Sequence, residues 1–152
     1  MDLHVQLPVW RFDADPLAPF SARDANAMDA LQQRLTEVPH DPDGAVTLRA
    51  GVMYLIQTRE RISFSRGLAG RIEGRSKFAR AGLIVQGAPT IHPGFDGTVT
   101  LEVFILGTAS VRIFDGESAI AQLLVERVET GDNDSRDMDY RGRFRGQIRP
   151  DG

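Results

Sequence analysis

Over most of this chain hydrophobic and polar positions alternate in short stretches, and one segment breaks that rhythm. Leu3, Val5 and Leu7 alternate with His4 and Gln6, the period of a half-buried strand. Pro8, Pro16 and Pro19 follow. Proline lacks the N–H a ladder needs, so they confine any continuation of that strand to an edge or a loop. Between residues 21 and 38 the period changes. Met28, Leu31, Leu35 and Val38 recur at helical spacing, predicting a helix over about 22–38 with Ser21 and Asp24 as its capping pair. Pro39 ends it, and His40-Asp41-Pro42-Asp43-Gly44 is a turn cluster.

From Ala45 onward the pattern is of short strands punctuated by glycine. The expected strands are Val46–Leu48, Val52–Thr58, Ile62–Phe64, Leu68–Glu73, Leu83–Val85, Thr98–Ile105, Ser110–Phe114 and Ile120–Val128. Their spacing, about 8–12 residues, predicts an all-β barrel or sandwich. Residues 131–152 are polar and glycine-spaced, which reads as a flexible arm. No internal repeat or linker divides the chain, so its 152 residues are expected to form a single domain.

Composition narrows the chemistry. The chain has no cysteine, which excludes a disulfide framework, thiol catalysis, iron–sulfur clusters and cysteine-rich zinc sites. It also excludes the zinc nucleobase deaminases, whose metal sits in a Cys/His cage. His4, His40 and His92 form no metal motif. No apolar run approaches the roughly 18 residues of a membrane span, and the first residues carry no basic stretch of a signal peptide. A cytoplasmic protein without membrane partners is expected. A net charge of −3 argues against general nucleic-acid binding. Basic charge is nevertheless concentrated: five arginines (Arg136, Arg141, Arg143, Arg145, Arg149) fall near the C-terminus. They read as a solvated tail or as planar donors for phosphate.

Four segments carry candidate chemistry. In Gly74-Arg75-Ser76-Lys77-Phe78-Ala79-Arg80 a glycine turn brings backbone amides and several cationic or hydroxyl donors together, a grouping that suits a polyphosphate or a plain surface loop. Glu102 is the only carboxylate in the strand from Thr98 to Ile105. It faces solvent, or it lies in a site where it takes a proton from water. Gln122 stands among apolar neighbours in Ala119–Leu123, and a buried amide there needs partners. Tyr140-Arg141-Gly142-Arg143-Phe144-Arg145-Gly146-Gln147 interleaves rings with guanidinium groups, as an arm closing over a nucleotide would.

In this order and at these separations, GRSKFAR, TIHPGFDGTVTLE, DGESAIAQL and YRGRFRGQ resemble the dCTP deaminase/dUTPase family over about residues 46–147. GRSxxAR followed 22 residues later by the glutamate of TLE is similar to its dCTP deaminase branch. The resemblance implies a β-clip fold, a distorted, jelly-roll-like barrel of the dUTPase type, assembled as a homotrimer with sites between subunits. The implied activity is zinc-independent hydrolysis of dCTP to dUTP and ammonia, with magnesium carried by the triphosphate. By position Glu102 would be the general base, and Ser76 and Arg80 would hold the water and developing charge. Arg75, Ser76 and Lys77 would meet phosphates and Ala88 the base, while Gln122, Tyr140, Arg143 and Gln147 would complete pocket and lid. The chain departs from the pattern at several points. Gln86-Gly87-Ala88-Pro89 stands for a His-x-Thr-Ala turn and is one residue shorter, His92 replaces an Asp, and only the end of the family's N-terminal region is matched. The implied partner is a deoxynucleoside triphosphate, dCTP first with dUTP and dTTP as further candidates. A catalytically silent nucleotide-binding or structural homologue or subunit of a larger assembly, and a dUTPase-like pyrophosphatase, are the alternatives.

Overall fold

The alternation that begins at Leu3 runs straight through the first proline. In the computed structural model, which describes residues 1–12, 23, 33–85 and 87–129, β1 spans Asp2–Phe12 and buries Leu3, Val5 and Val9 completely. The strand is interior rather than an edge. β4 (Met53–Ser63) lies on one side, and on the other β10 (Ala119–Arg127) flanks its beginning. Pro8 is accommodated because it falls in the register break between Gln6 and Val9 against β4, where the ladder asks no N–H of it.

The helix expected over about 22–38 is corrected at its C-terminal end. Leu35–Glu37 form a strand, β2, antiparallel to Trp10–Phe12 of β1, and the Val38 amide donates to Val9 O at 2.8 Å. The end of β1 offers unpaired backbone groups and a buried place for Val38, and such tertiary pairing outweighs a weak helical preference. The remainder of that expectation, with Ser21, Asp24, Met28 and Leu31, lies outside the described residues.

The other elements are β3 (Val46–Leu48), β5 (Leu68–Gly74), a one-turn helix α1 (Ser76–Ala79), β6 (Leu83–Val85), β7 (Thr90–Ile91), β8 (Asp96–Ile105) and β9 (Val111–Ile113). The main sheet runs β6-β8-β4-β1-β10-β5-β7 with β2 beside β1, and β3 pairs β9 separately. Every pairing is antiparallel. The all-β architecture is therefore as expected. Alternate residues line one core, including Ile56, Leu101, Val103, Ile105, Ile113 and Ile120. Removing the side chain of a residue so enclosed costs about 2–5 kcal/mol.

Two expected strands prove to be one. Val52–Thr58 and Ile62–Phe64 merge into β4, which passes the charged run Arg59-Glu60-Arg61 as a bulge between Gln57 and Arg61. Buried Thr58 holds this bulge: its hydroxyl donates to Glu60 O at 2.9 Å and accepts from Val99 N at 3.0 Å. Glu60 in turn grips β1. One carboxylate oxygen accepts from the His4 amide at 2.8 Å, and the other lies 2.6 Å from His4 Nδ1. Burial works to raise the Glu60 pKa, but these hydrogen bonds outweigh it and hold the group below its ordinary 4.5. A carboxyl depressed in the folded state stabilises above its unfolded pKa and loses that contribution as pH falls through the folded value. Glu60→Gln should therefore melt below wild type at pH 7, with the gap closing as pH falls below the ordinary 4.5 in a thermal-melt series. A gap constant with pH would show that the charge on Glu60 contributes nothing.

Candidate active site

β5 ends at Gly74 and delivers the cationic segment. The Arg75 amide donates to Ile120 O at 3.1 Å, fixing the turn against β10. The next residues form α1, in which the Phe78 and Ala79 amides donate to Arg75 O and the Arg80 amide to Ser76 O. Those amides point into their own turn. The expected amide nest is thus narrowed, because one helical turn takes the amides of Phe78, Ala79 and Arg80 and leaves those of Ser76 and Lys77 at its start without a backbone acceptor among the described residues. What this segment offers outward is side chains: Ser76, Lys77 and Arg80 are exposed and Arg75 is half-buried. Lys77 lies over the Phe78 ring, 5.7 Å from its centre.

Arg75 is engaged by a carboxylate the sequence did not single out. Its guanidinium forms an ion pair with Asp2 of β1. Asp2 lies in register with Gln122 of β10, and Gln122 in register with Glu73 of β5, so the three occupy one row across three strands. Gln122 is half-buried on this polar row, not buried among apolar neighbours as its sequence context implied. Residues directly opposite in a ladder share a face, and Leu3, Ala121 and Ile72 take the core side instead. Arg71 Nε, 3.2 Å from Glu73, balances the second carboxylate of the row.

Glu102 lies elsewhere on the same chain. β8 holds it half-buried, in register with Leu55 of β4, while Leu101 and Val103 on either side are buried in the core. It borders a shallow open cleft that it shares with Ile72, Val85, Gly87, Ala88, Pro89, Thr100 and Leu101. Among these residues Glu102 alone ionises. The Ala88 amide donates to its Oε2 at 3.1 Å, so the short turn after β6 rests on the carboxylate. Ala88, expected against a base, is exposed at the cleft mouth.

Geometry thus brings Ala88 to Glu102, and Arg75 with Ser76, Lys77 and Arg80 into one segment near Gln122. Among the described residues no hydrogen bond or ion pair joins Ser76 or Arg80 to Glu102. β6 stands between them. Its Val85 pairs with Val103 next to Glu102, and the Val85 amide is 3.9 Å from where a Cβ on Gly74 would lie. Tyr140, Arg143 and Gln147 lie outside the described residues. Asp2 was missed because its role depends on strand pairing, and its only trace in sequence is a charge at the start of an alternating run.

Residues 2–128 match the model of a protein family described as dCTP deaminase-like. A dCTP deaminase, dUMP-forming, from Persephonella marina is 31% identical over 117 residues, 77% of this chain and 62% of that protein. A dCTP deaminase from Thermomicrobium roseum is 42% identical over 77 residues, 49% of this chain and 39% of that one. The chain therefore spans less than two thirds of these curated relatives. In fold it is similar to the crystal structure of 2'-deoxycytidine 5'-triphosphate deaminase from Agrobacterium tumefaciens, with a TM-score of 0.62 at 17% identity over 85% of this chain and 39% of that one. The native dUTPase of EIAV is similar with a TM-score of 0.51 at 18% identity, over 86% of this chain and 98% of that one. No helix among the described residues is long and apolar enough to cross a membrane.

Proposed function

Because this chain belongs to the dCTP deaminase-like family, we propose that it binds dCTP and hydrolyses the 4-amino group of the base. Water and dCTP give dUTP and ammonia. Glu102 takes a proton from water, the resulting hydroxide adds to C4 of the cytosine, and the proton passes to the departing amine. The observation that carries this reading is Glu102 itself. It is the one ionisable group among the described residues that line the cleft, half-buried and already bonded to a backbone amide. A positioned general base of this kind contributes about 10²–10⁴-fold. The chemistry is written without zinc, in keeping with a chain that has no cysteine, and magnesium enters as part of the triphosphate substrate.

On this reading Ser76 and Arg80 steady the water and the charge that develops on the ring, and Ala88 lies against the base. Since neither Ser76 nor Arg80 touches Glu102 within one chain, a homotrimer with the site between subunits supplies the full set. Phe104 and Leu106, exposed by 40% and 60% at the end of β8, support a face that a second copy covers. Gln122, Tyr140, Arg143 and Gln147 complete the pocket and lid, all within one domain spanning 1–152.

Arg75, Ser76 and Lys77 take the phosphates on this reading, with Arg75 exchanging Asp2 for the ligand. Such an exchange costs little, since an ion pair as exposed as this one is worth about 0–1 kcal/mol, whereas a charged hydrogen bond contributes about 1.5–3 kcal/mol. Arg75→Ala should therefore weaken dCTP binding about 10- to 150-fold and deoxycytidine binding hardly at all, by calorimetry. Equal losses for the two ligands would remove Arg75 from the phosphate site.

The decisive experiment incubates the protein with dCTP and magnesium and follows ammonia and nucleotides by chromatography. Appearance of dUTP is the expected result. The name of the Persephonella marina relative, dUMP-forming, favours a second reading in which dUTP and water go on to dUMP and pyrophosphate. Product analysis separates the two. No product, with dCTP still raising the melting temperature, would mark a silent nucleotide-binding homologue.

A further inference from the structure

Gly87 occupies an unusual place. Space calls for glycine there. A Cβ on Gly87 would stand 2.5 Å from Glu102 Cβ, 2.6 Å from Oε2 and 2.7 Å from Cγ, all inside the 3.0 Å that real Cβ contacts respect. The turn is also tied at both ends. Ala88 donates to Glu102 Oε2 at 3.1 Å on β8, and Pro89 O accepts from the Ile72 amide at 2.8 Å on β5. The stem of Glu102 is therefore clasped along its length by a backbone that lacks a side chain at the point of contact. One carboxylate oxygen is taken by the turn, and Oε1 makes no hydrogen bond with a described residue.

We propose that Gly87 is a positioning residue for Glu102. Its missing Cβ lets the Ala88 amide hold Oε2, so that Oε1 is the oxygen presented to water. This rests on Glu102 being the general base. A reacting group misplaced by about 1 Å loses on the order of 10²-fold in rate, and an alanine at 87 forces either the turn or the carboxylate to move by about that much. Gly87 and Ala88 are exposed, so the displacement falls at the surface and not in the core.

Steady-state kinetics on dCTP, with magnesium, test the assignment. Gly87→Ala should lower kcat about 100-fold, leave KM within about threefold because phosphate contacts are untouched, and melt within a few degrees of wild type. Glu102→Asp draws the carboxylate back by one methylene, out of the place where the Ala88 amide holds it, so that Gly87 has no positioned oxygen left to serve even though Cβ stays. On that slower background the Gly87→Ala penalty should shrink to about threefold or less, a coupling that a general structural defect does not produce. Wild-type kcat in Gly87→Ala, a loss confined to KM, or an equal penalty on both backgrounds would each overturn the proposal while leaving Glu102 as base. Turnover by Glu102→Gln at the wild-type rate, or none by the wild-type protein, would overturn the general-base reading and the proposal with it.

Discussion

Glu102→Gln is expected to lose turnover by at least about 10²–10⁴-fold while binding dCTP as wild type does. The substitution keeps the length and shape of the side chain. Its carbonyl oxygen still accepts from the Ala88 amide, so the turn at 87–89 and the mouth of the cleft stay in place. What disappears is the ability to take a proton from water. Binding is expected to be preserved because the donors proposed for the phosphates stand on α1 and at Arg75, beyond β6 from Glu102. A thermal shift reads this side of the prediction: dCTP at 100 times its dissociation constant should add about 2.7 kcal/mol to both proteins. Ammonia release reads the other. Wild-type rates in the variant would remove Glu102 from the chemistry, and loss of the dCTP shift would mean that it holds substrate instead.

The largest effect on stability is expected at Gly82, in the turn joining α1 to β6. Its φ is +89°, and a Cβ there would stand 2.2 Å from Leu106 O. The Leu106 amide donates back to Gly82 O at 2.8 Å, so the two segments are locked at van der Waals contact and neither side is a flexible side-chain end. Gly82→Ala meets a strained backbone and a clash with backbone together, for a loss of roughly 2–4 kcal/mol. That is a melting-temperature drop of about 5–15 °C for a chain of this size. Gly44 is the control. Its φ of +82° is similar, but a Cβ there would meet nothing within 4 Å. Gly44→Ala should cost only the backbone part, about 1–2 kcal/mol. Equal losses at the two positions would show that the contact with Leu106 contributes nothing.

Much of the β architecture was legible because it is written locally. Strands with one buried face alternate, and Val46–Leu48 and Leu83–Val85 fall where alternation and glycine punctuation put them. The misreadings share a cause. Arg59-Glu60-Arg61 resembles a turn, yet Thr58 and the bulge carry the strand through it. Pro8 resembles a stop, yet a register break absorbs it. Leu35 and Val38 have helical spacing, yet the end of β1 recruits residues 35–37 as a strand. In each case the deciding partner is distant in the chain, where periodicity carries no information.

The same division holds for the site. Sequence by itself determined the chemical inventory: no thiol, a single carboxylate in the strand 98–105, and clustered donors at 75–80. Those are properties of residue type and order, and folding does not change them. Tertiary structure alone decided that Glu102 borders a cleft, that Ala88 donates to it, that Gly87 makes room for it, and that Asp2 holds Arg75. Each of those facts is a distance between residues from about 14 to more than 70 positions apart in the chain. Such distances are set by strand register and close packing, which arise only when the whole sheet has formed.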